Sequence, residues 1–135
     1  MPKLSCALLV DDDPTTNYLN QLLLKRLAVA DHLLVALNGQ EALDLLQAHC
    51  HRIADDCPAL ILLDVKMPVM DGFAFLDAYD QLPIAQKQAI VIIMLTTSLH
   101  PKDMERTKNS NIAGFLNKPL TEVKINQVLA TYFAR

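Results

Sequence analysis

The chain has 135 residues, 52% hydrophobic and 20% charged, which is enough apolar material for one buried core and too much for a disordered tail. Its 12 Lys and Arg against 15 Asp and Glu leave a formal charge of −3, the wrong balance for a dedicated nucleic-acid binder. The longest apolar run, Ala89 to Leu95, is far shorter than the ~20 residues that span a bilayer.

The opening Leu4 to Val10 reads as a strand running into Asp11, Asp12 and Asp13, which is not the pattern of a secretory leader. Pro14 to about Ala28 follows as a helix, with Asp13 as N-cap and Pro14 at the first helical position. Leu19, Leu22, Leu23 and Arg26 fall at helical spacing, so the three leucines predict its buried face. Leu33 to Leu37 is the second strand. Asn38 and Glu41 open a second helix, whose face is Ala42, Leu45, Leu46 and His49. Asp55, Asp56 and Pro58 interrupt the chain.

Ala59 to Leu63 is an unbroken apolar run ending at Asp64, as expected of a strand buried on both faces. A loop from Val65 leads to Asp71, which can cap a helix carrying Phe73, Leu76, Tyr79 and Asp80 and closed by Pro83. After a polar loop through Gln88, Ala89 to Leu95 is the fourth strand and ends at Thr96. Pro101 to about Asn109 predicts a charged, exposed helix. Ala113 to Leu116 is a short fifth strand, followed by Asn117, Lys118 and Pro119. Thr121 then caps a last helix reaching Tyr132.

Five alternating β/α units imply an α/β fold with a parallel sheet and helices on both faces. Right-handed crossovers leave few topologies, and a five-stranded sheet in the order 2-1-3-4-5 is the leading one. No linker or repeat divides the chain, so residues 1–135 are expected to form a single domain. Cys6, Cys50 and Cys57 are an odd, sparse set, and the expectation is reduced thiols in a cytoplasmic protein.

The unusual polar residues all follow strands: Asp11 and Asp12 the first, Asp64 the third, Thr96 the fourth and Lys118 the fifth. In a doubly wound sheet these are carboxyl ends on one rim, where ligands bind near the reversal of strand order. Carboxylates about 5 Å apart repel by roughly 3 kcal/mol per pair at an effective dielectric near 20. A hard divalent cation relieves this, and an all-oxygen donor set suits Mg²⁺. Metal and lysine would then neutralise a transferring phosphoryl group, and a carboxylate can accept it covalently.

Four segments carry a family likeness: Leu-Leu-Val-Asp11-Asp12-Asp13, Leu-Leu-Asp64-Val-Lys-Met-Pro68-Val-Met-Asp71-Gly72, Met-Leu-Thr96-Thr97 and Phe115-Leu-Asn-Lys118-Pro119. Together, in this order, they resemble the receiver domain of two-component response regulators over about residues 4–134. The resemblance implies a flavodoxin-like fold and a phosphorelay protein of stand-alone type, not an enzyme, though one able to dephosphorylate itself. It implies that Asp64 accepts phosphate and that Mg²⁺ is held by Asp12, Asp64 and the Lys66 backbone carbonyl, with Asp11 acting through water. Thr96 would hydrogen-bond the phosphoryl group and Lys118 would pair with it across a cis bond to Pro119. Thr96 and Phe115 would form the switch. The donor would be a histidine kinase or histidine phosphotransfer protein, with small acyl phosphates as substitutes. An unidentified output protein would engage the surface of Lys102, Arg106, Phe115 and Lys124. Gln127, Val128 and Leu129 do not match the charged pairing set of the family's dimers, so a monomer or weak dimer is expected, with no direct contact to nucleic acid or membrane.

Blander readings stand beside these. Asp13 suffices as a helix cap, Phe115 can be ordinary packing, and Lys102, Glu105, Arg106 and Lys108 read as a solvated helix face. His49, Cys50, His51 and Cys57 hint at zinc, but their spacing fits no accepted ligand pattern and a packed helix end is the simpler reading. Asp11-Asp12-Asp13-Pro14-Thr15 also satisfies the Asp-x-Asp-x-Thr pattern of haloacid-dehalogenase-like phosphatases, with Asp11 as nucleophile and Asp13 as acid. That alternative leaves Asp64 without a task. A phosphate-independent interaction module is a further alternative, favoured by no missing residue. Thr97 departs from the small residue usual in receivers, and its bulk, stiff at χ1, is expected to narrow access to Asp64. The loop from about Leu82 to Gln88 is long for the family and reads as neutral length variation.

Overall fold

The computed structural model describes residues 4–50, 57–67, 69–82, 90–97, 101–106 and 112–133. The expected break at Asp55 and Asp56, Pro68, Pro83 with the loop to Gln88, and the helix end at Asn109 lie outside them, as does the Arg106 side chain.

Strands β1 (Leu4–Val10), β2 (Ala30–Ala36), β3 (Leu60–Asp64), β4 (Val91–Thr96) and β5 (Gly114–Asn117) alternate with helices α1 (Pro14–Arg26), α2 (Gly39–His49), α3 (Gly72–Asp80), α4 (Pro101–Arg106) and α5 (Glu122–Tyr132). All four strand pairings are parallel, and the order is β2-β1-β3-β4-β5.

Strand alternation sorts the core into two layers. Leu8, Val10, Ile61, Leu63, Ile92 and Met94 pack with α2 and α3, through residues such as Leu46, Phe75 and Tyr79. Ala7, Leu9, Leu60, Leu62, Ile93 and Leu95 face Leu24 of α1 and Ile125, Val128 and Leu129 of α5. Every residue of β3 is buried, as a strand covered on both faces must be.

The helix starts follow the expected capping chemistry. Asp13, Asn38, Asp71 and Thr121 accept from the backbone N–H of Thr15, Glu41, Ala74 and Lys124 respectively. Glu41 reaches back to the N–H of Leu37 at 2.9 Å, one residue before the reciprocal partner of an ideal capping box.

Two expectations are corrected here. The leucine stripe is only in part the buried face of α1: Leu23 packs against the core, but Leu19 is 57% and Leu22 46% exposed, while Asn17, Asn20 and Leu24 point inward. Asn17 earns its place because its Nδ2 donates to the carbonyls of Asp11 and Ala36, closing the ends of β1 and β2. The cysteines are not all reduced either. Cys50 and Cys57 form a disulfide, and Cys6 is a buried thiol outside it. The two Cα atoms lie 4.8 Å apart, within bridging reach, a proximity that sequence spacing does not reveal. The bond also removes Cys50 and Cys57 as zinc ligands; His51 lies outside the described residues.

Candidate functional site

Three carboxylates meet at the rim predicted from the strand ends. Asp11, Asp12 and Asp64 each present an oxygen, and these atoms lie within 4.8 Å of one another. Asp11 and Asp64 are buried, whereas Asp12 is exposed.

Lys118 provides the counter-charge. Its Nζ donates to Asp11 Oδ2 at 2.7 Å and lies 3.1 Å from Asp64 Oδ1. The other oxygen of Asp11, Oδ1, accepts the Asp13 N–H at 2.9 Å. Asp11 is thus engaged at both oxygens, while the Asp12 carboxylate has no hydrogen-bond partner among the described residues.

Burial pushes the Asp64 carboxyl above its ordinary range, and the neighbouring charge of Asp11 pushes it further; the Lys118 ammonium only partly opposes this. For Lys118 burial works to lower the pKa, but hydrogen bonds to Asp11 and Asp64 outweigh it and hold the ammonium charged above its ordinary range. Three carboxylates and one ammonium sum to −3 + 1 = −2. An oxygen-only cluster with that residual charge fits a hard divalent cation.

A cavity of about 190 Å³ opens on Asp64, and Val65, Lys66, Thr96, Thr97 and Lys118 complete its wall. Thr96 is buried at the end of β4, and its carbonyl accepts the Lys118 N–H at 2.8 Å. Thr97 is exposed at the mouth. Phe115 lies on β5 opposite Met94, half-buried against the α2–α3 layer of the core. The Lys118–Pro119 peptide bond is cis, as the resemblance implies.

Close packing holds β3. The first residue of α3, Gly72, donates its N–H to Val65 O at 2.9 Å, and a Cβ there would sit 2.8 Å from the Asp64 carbonyl. The sequence marks Gly72 as a helix start and as part of the family motif, and this contact explains why no side chain fits. Asn17, which secures the main chain of Asp11, was missed, because a polar residue in a leucine-rich helix gives no local sign of facing inward.

Asp13, the acid required by the phosphatase alternative, is spent on capping: it accepts from Thr15 N at 3.0 Å and from Thr16 Oγ1 at 2.8 Å. Those bonds lower its pKa, the Thr16 hydroxyl foremost, which is the wrong direction for a general acid.

A family model described as the response regulator receiver domain matches residues 7–130. The chain belongs to the receiver domain family. Receiver domains are signalling modules of two-component systems, and the Asp11–Asp12–Asp64 cluster fits their phosphorylation site. Among relatives, two-component response regulator 24 of Arabidopsis thaliana is 32% identical over 123 residues, covering 91% of this chain and 80% of the relative. The probable methanogenesis regulatory protein FilR2 of Methanothrix harundinacea is 30% identical over 115 residues, covering 84% and 72%. Among solved structures, chemotaxis protein CheY4 of Vibrio cholerae superposes with a TM-score of 0.79 at 27% identity, covering 96% of this chain and 99% of that one. A two-component response regulator from Cytophaga hutchinsonii, at 24% identity, shares the fold with a TM-score of 0.85 over 99% and 100% of the two chains. The receiver assignment displaces the phosphatase alternative. Among the described residues, no helix is long and apolar enough to cross a membrane.

Proposed function

We propose that Asp64 is the phosphoacceptor of this receiver. The observation that carries this is the placement of its carboxylate at the end of the central strand, 3.1 Å from Lys118 and within 4.8 Å of the Asp11 and Asp12 oxygens. A carboxylate oxygen of Asp64 attacks the phosphorus of a phosphohistidine on a histidine kinase or phosphotransfer protein. The P–N bond breaks, the histidine keeps the electron pair and takes a proton, and an aspartyl phosphate remains.

Asp12, Asp64 and the Lys66 backbone carbonyl would hold Mg²⁺, with Asp11 reaching it through water. Bound there, the ion supplies charge neutralisation for the incoming phosphoryl group. Lys118 pairs with the phosphoryl oxygens, and the Thr96 hydroxyl donates to one of them. Engagement of Thr96 draws Phe115 inward and alters the surface offered to an output protein. Residues 1–135 act as one cytoplasmic receiver domain, monomeric or weakly dimeric, in contact with neither nucleic acid nor membrane. It is a switch and not an enzyme, apart from hydrolysis of its own acyl phosphate.

Incubation with acetyl phosphate and Mg²⁺ followed by mass spectrometry tests this. One phosphoryl group is expected, mapping to the peptide that contains Asp64 and absent from Asp64→Asn. An adduct that survives Asp64→Asn and disappears in Asp11→Asn would overturn the assignment.

A further inference from the structure

Lys124 occupies a position that helix electrostatics disfavours. It lies in the first turn of α5, three residues after the N-cap Thr121, where the dipole favours acids such as Glu122 and opposes a cation. Its side chain turns back out of the helix. Nζ donates to the carbonyl of Asn117 at 2.7 Å and to that of Pro119 at 2.9 Å. Charge-assisted bonds of this kind are roughly twice as strong as neutral ones.

The two carbonyls bracket Lys118. On the opposite side the Lys118 N–H is held by Thr96 O at 2.8 Å. The main chain around Lys118 is therefore fixed from β4 and from α5 together. From that support its ammonium reaches both Asp11 and Asp64.

We propose that Lys124 is a positioning residue for phosphoryl transfer: by clamping the carbonyls of Asn117 and Pro119 it holds the Lys118 ammonium over the Asp11–Asp64 pair. This rests on Asp64 being the acceptor. The Lys124 ammonium bonds main-chain carbonyls and not the carboxylates of the cluster, so its effect passes through Lys118. A neutral side chain at 124 frees the two carbonyls and lets Lys118 wander, and misplacement by about 1 Å is enough to slow a positioned reaction.

The test measures the initial rate of phosphorylation of the full chain by phosphoramidate with saturating Mg²⁺ for wild type, K124M, K124Q, K124R and D64N. Thermal melts and the ¹⁵N-resolved signal of the Lys118 ammonium accompany each variant. K124M and K124Q are expected to lose roughly 5- to 20-fold in rate and to broaden the Lys118 signal, with folding retained. K124R, which can donate to both carbonyls, is expected to stay within about twofold of wild type. Two neutral variants guard against one that folds poorly. Wild-type rates and an unchanged Lys118 signal in K124M and K124Q, with D64N unlabelled, overturn the inference and leave the acceptor intact. A rate loss that K124R does not restore also overturns it. Labelling that persists in D64N overturns the acceptor assignment and the inference with it.

Discussion

The surroundings of Asp64 disfavour its charged form. Burial and the Asp11 charge raise its pKa on folding, so ionising it costs stability. For a carboxyl raised in this way the cost is absent below its unfolded value and grows as the pH climbs through the folded one. Asp64→Asn is therefore expected to raise the thermal midpoint in metal-free buffer at pH 7, by roughly 2–5 °C, with the gain vanishing toward pH 3. Melting curves across that pH range check it; a lower midpoint at pH 7 would contradict the account. The rim residues Asp11, Asp12, Asp64, Thr96 and Lys118 were legible because each lies at or just past the end of an apolar run. Asn17 and Lys124 were not, since both act on main-chain carbonyls and no side-chain pattern announces such a partner.

Among the elements, the helix starts were readable from capping residues alone, and the facing of α1 was not. A leucine stripe looks like core, yet the demand of the β1 and β2 ends for donors turned Asn17 inward and left Leu19 and Leu22 outside. The start of β2 was also placed late, because Asp31 and His32 are exposed on an edge strand whose pairing to β1 begins at Ala30. The Cys50–Cys57 bond joins the end of α2 to the approach to β3 across a separation of 7 residues. Closing so short a loop stabilises a fold by about 2 kcal/mol, chiefly by restricting the unfolded chain. Urea denaturation should show that loss for wild type on adding dithiothreitol. The Cys50→Ala/Cys57→Ala double variant should start lower by at least as much and respond no further to reductant. An identical midpoint with and without reductant in wild type would remove the stabilising role.

For the molecule as a whole, alternation of strand and helix with right-handed crossovers narrowed the strand order to a few choices, and the family likeness favoured the one observed. The same order grades the sheet. β3 is paired on both sides and wholly buried, whereas β5 is a four-residue border strand with one neighbour and no fully buried residue. Native-state hydrogen exchange is expected to be slowest at the amides of Ile61 to Leu63 and at least about tenfold faster at Phe115 and Leu116. Comparable protection in the two strands would refute this grading. The proposed phosphoacceptor thus ends the buried, doubly paired β3, and the lysine that answers it follows a border strand. A change introduced at the centre is expected to find its easiest way out sideways, through the exposed border strand β5, so the interior can stay still while the periphery carries the message.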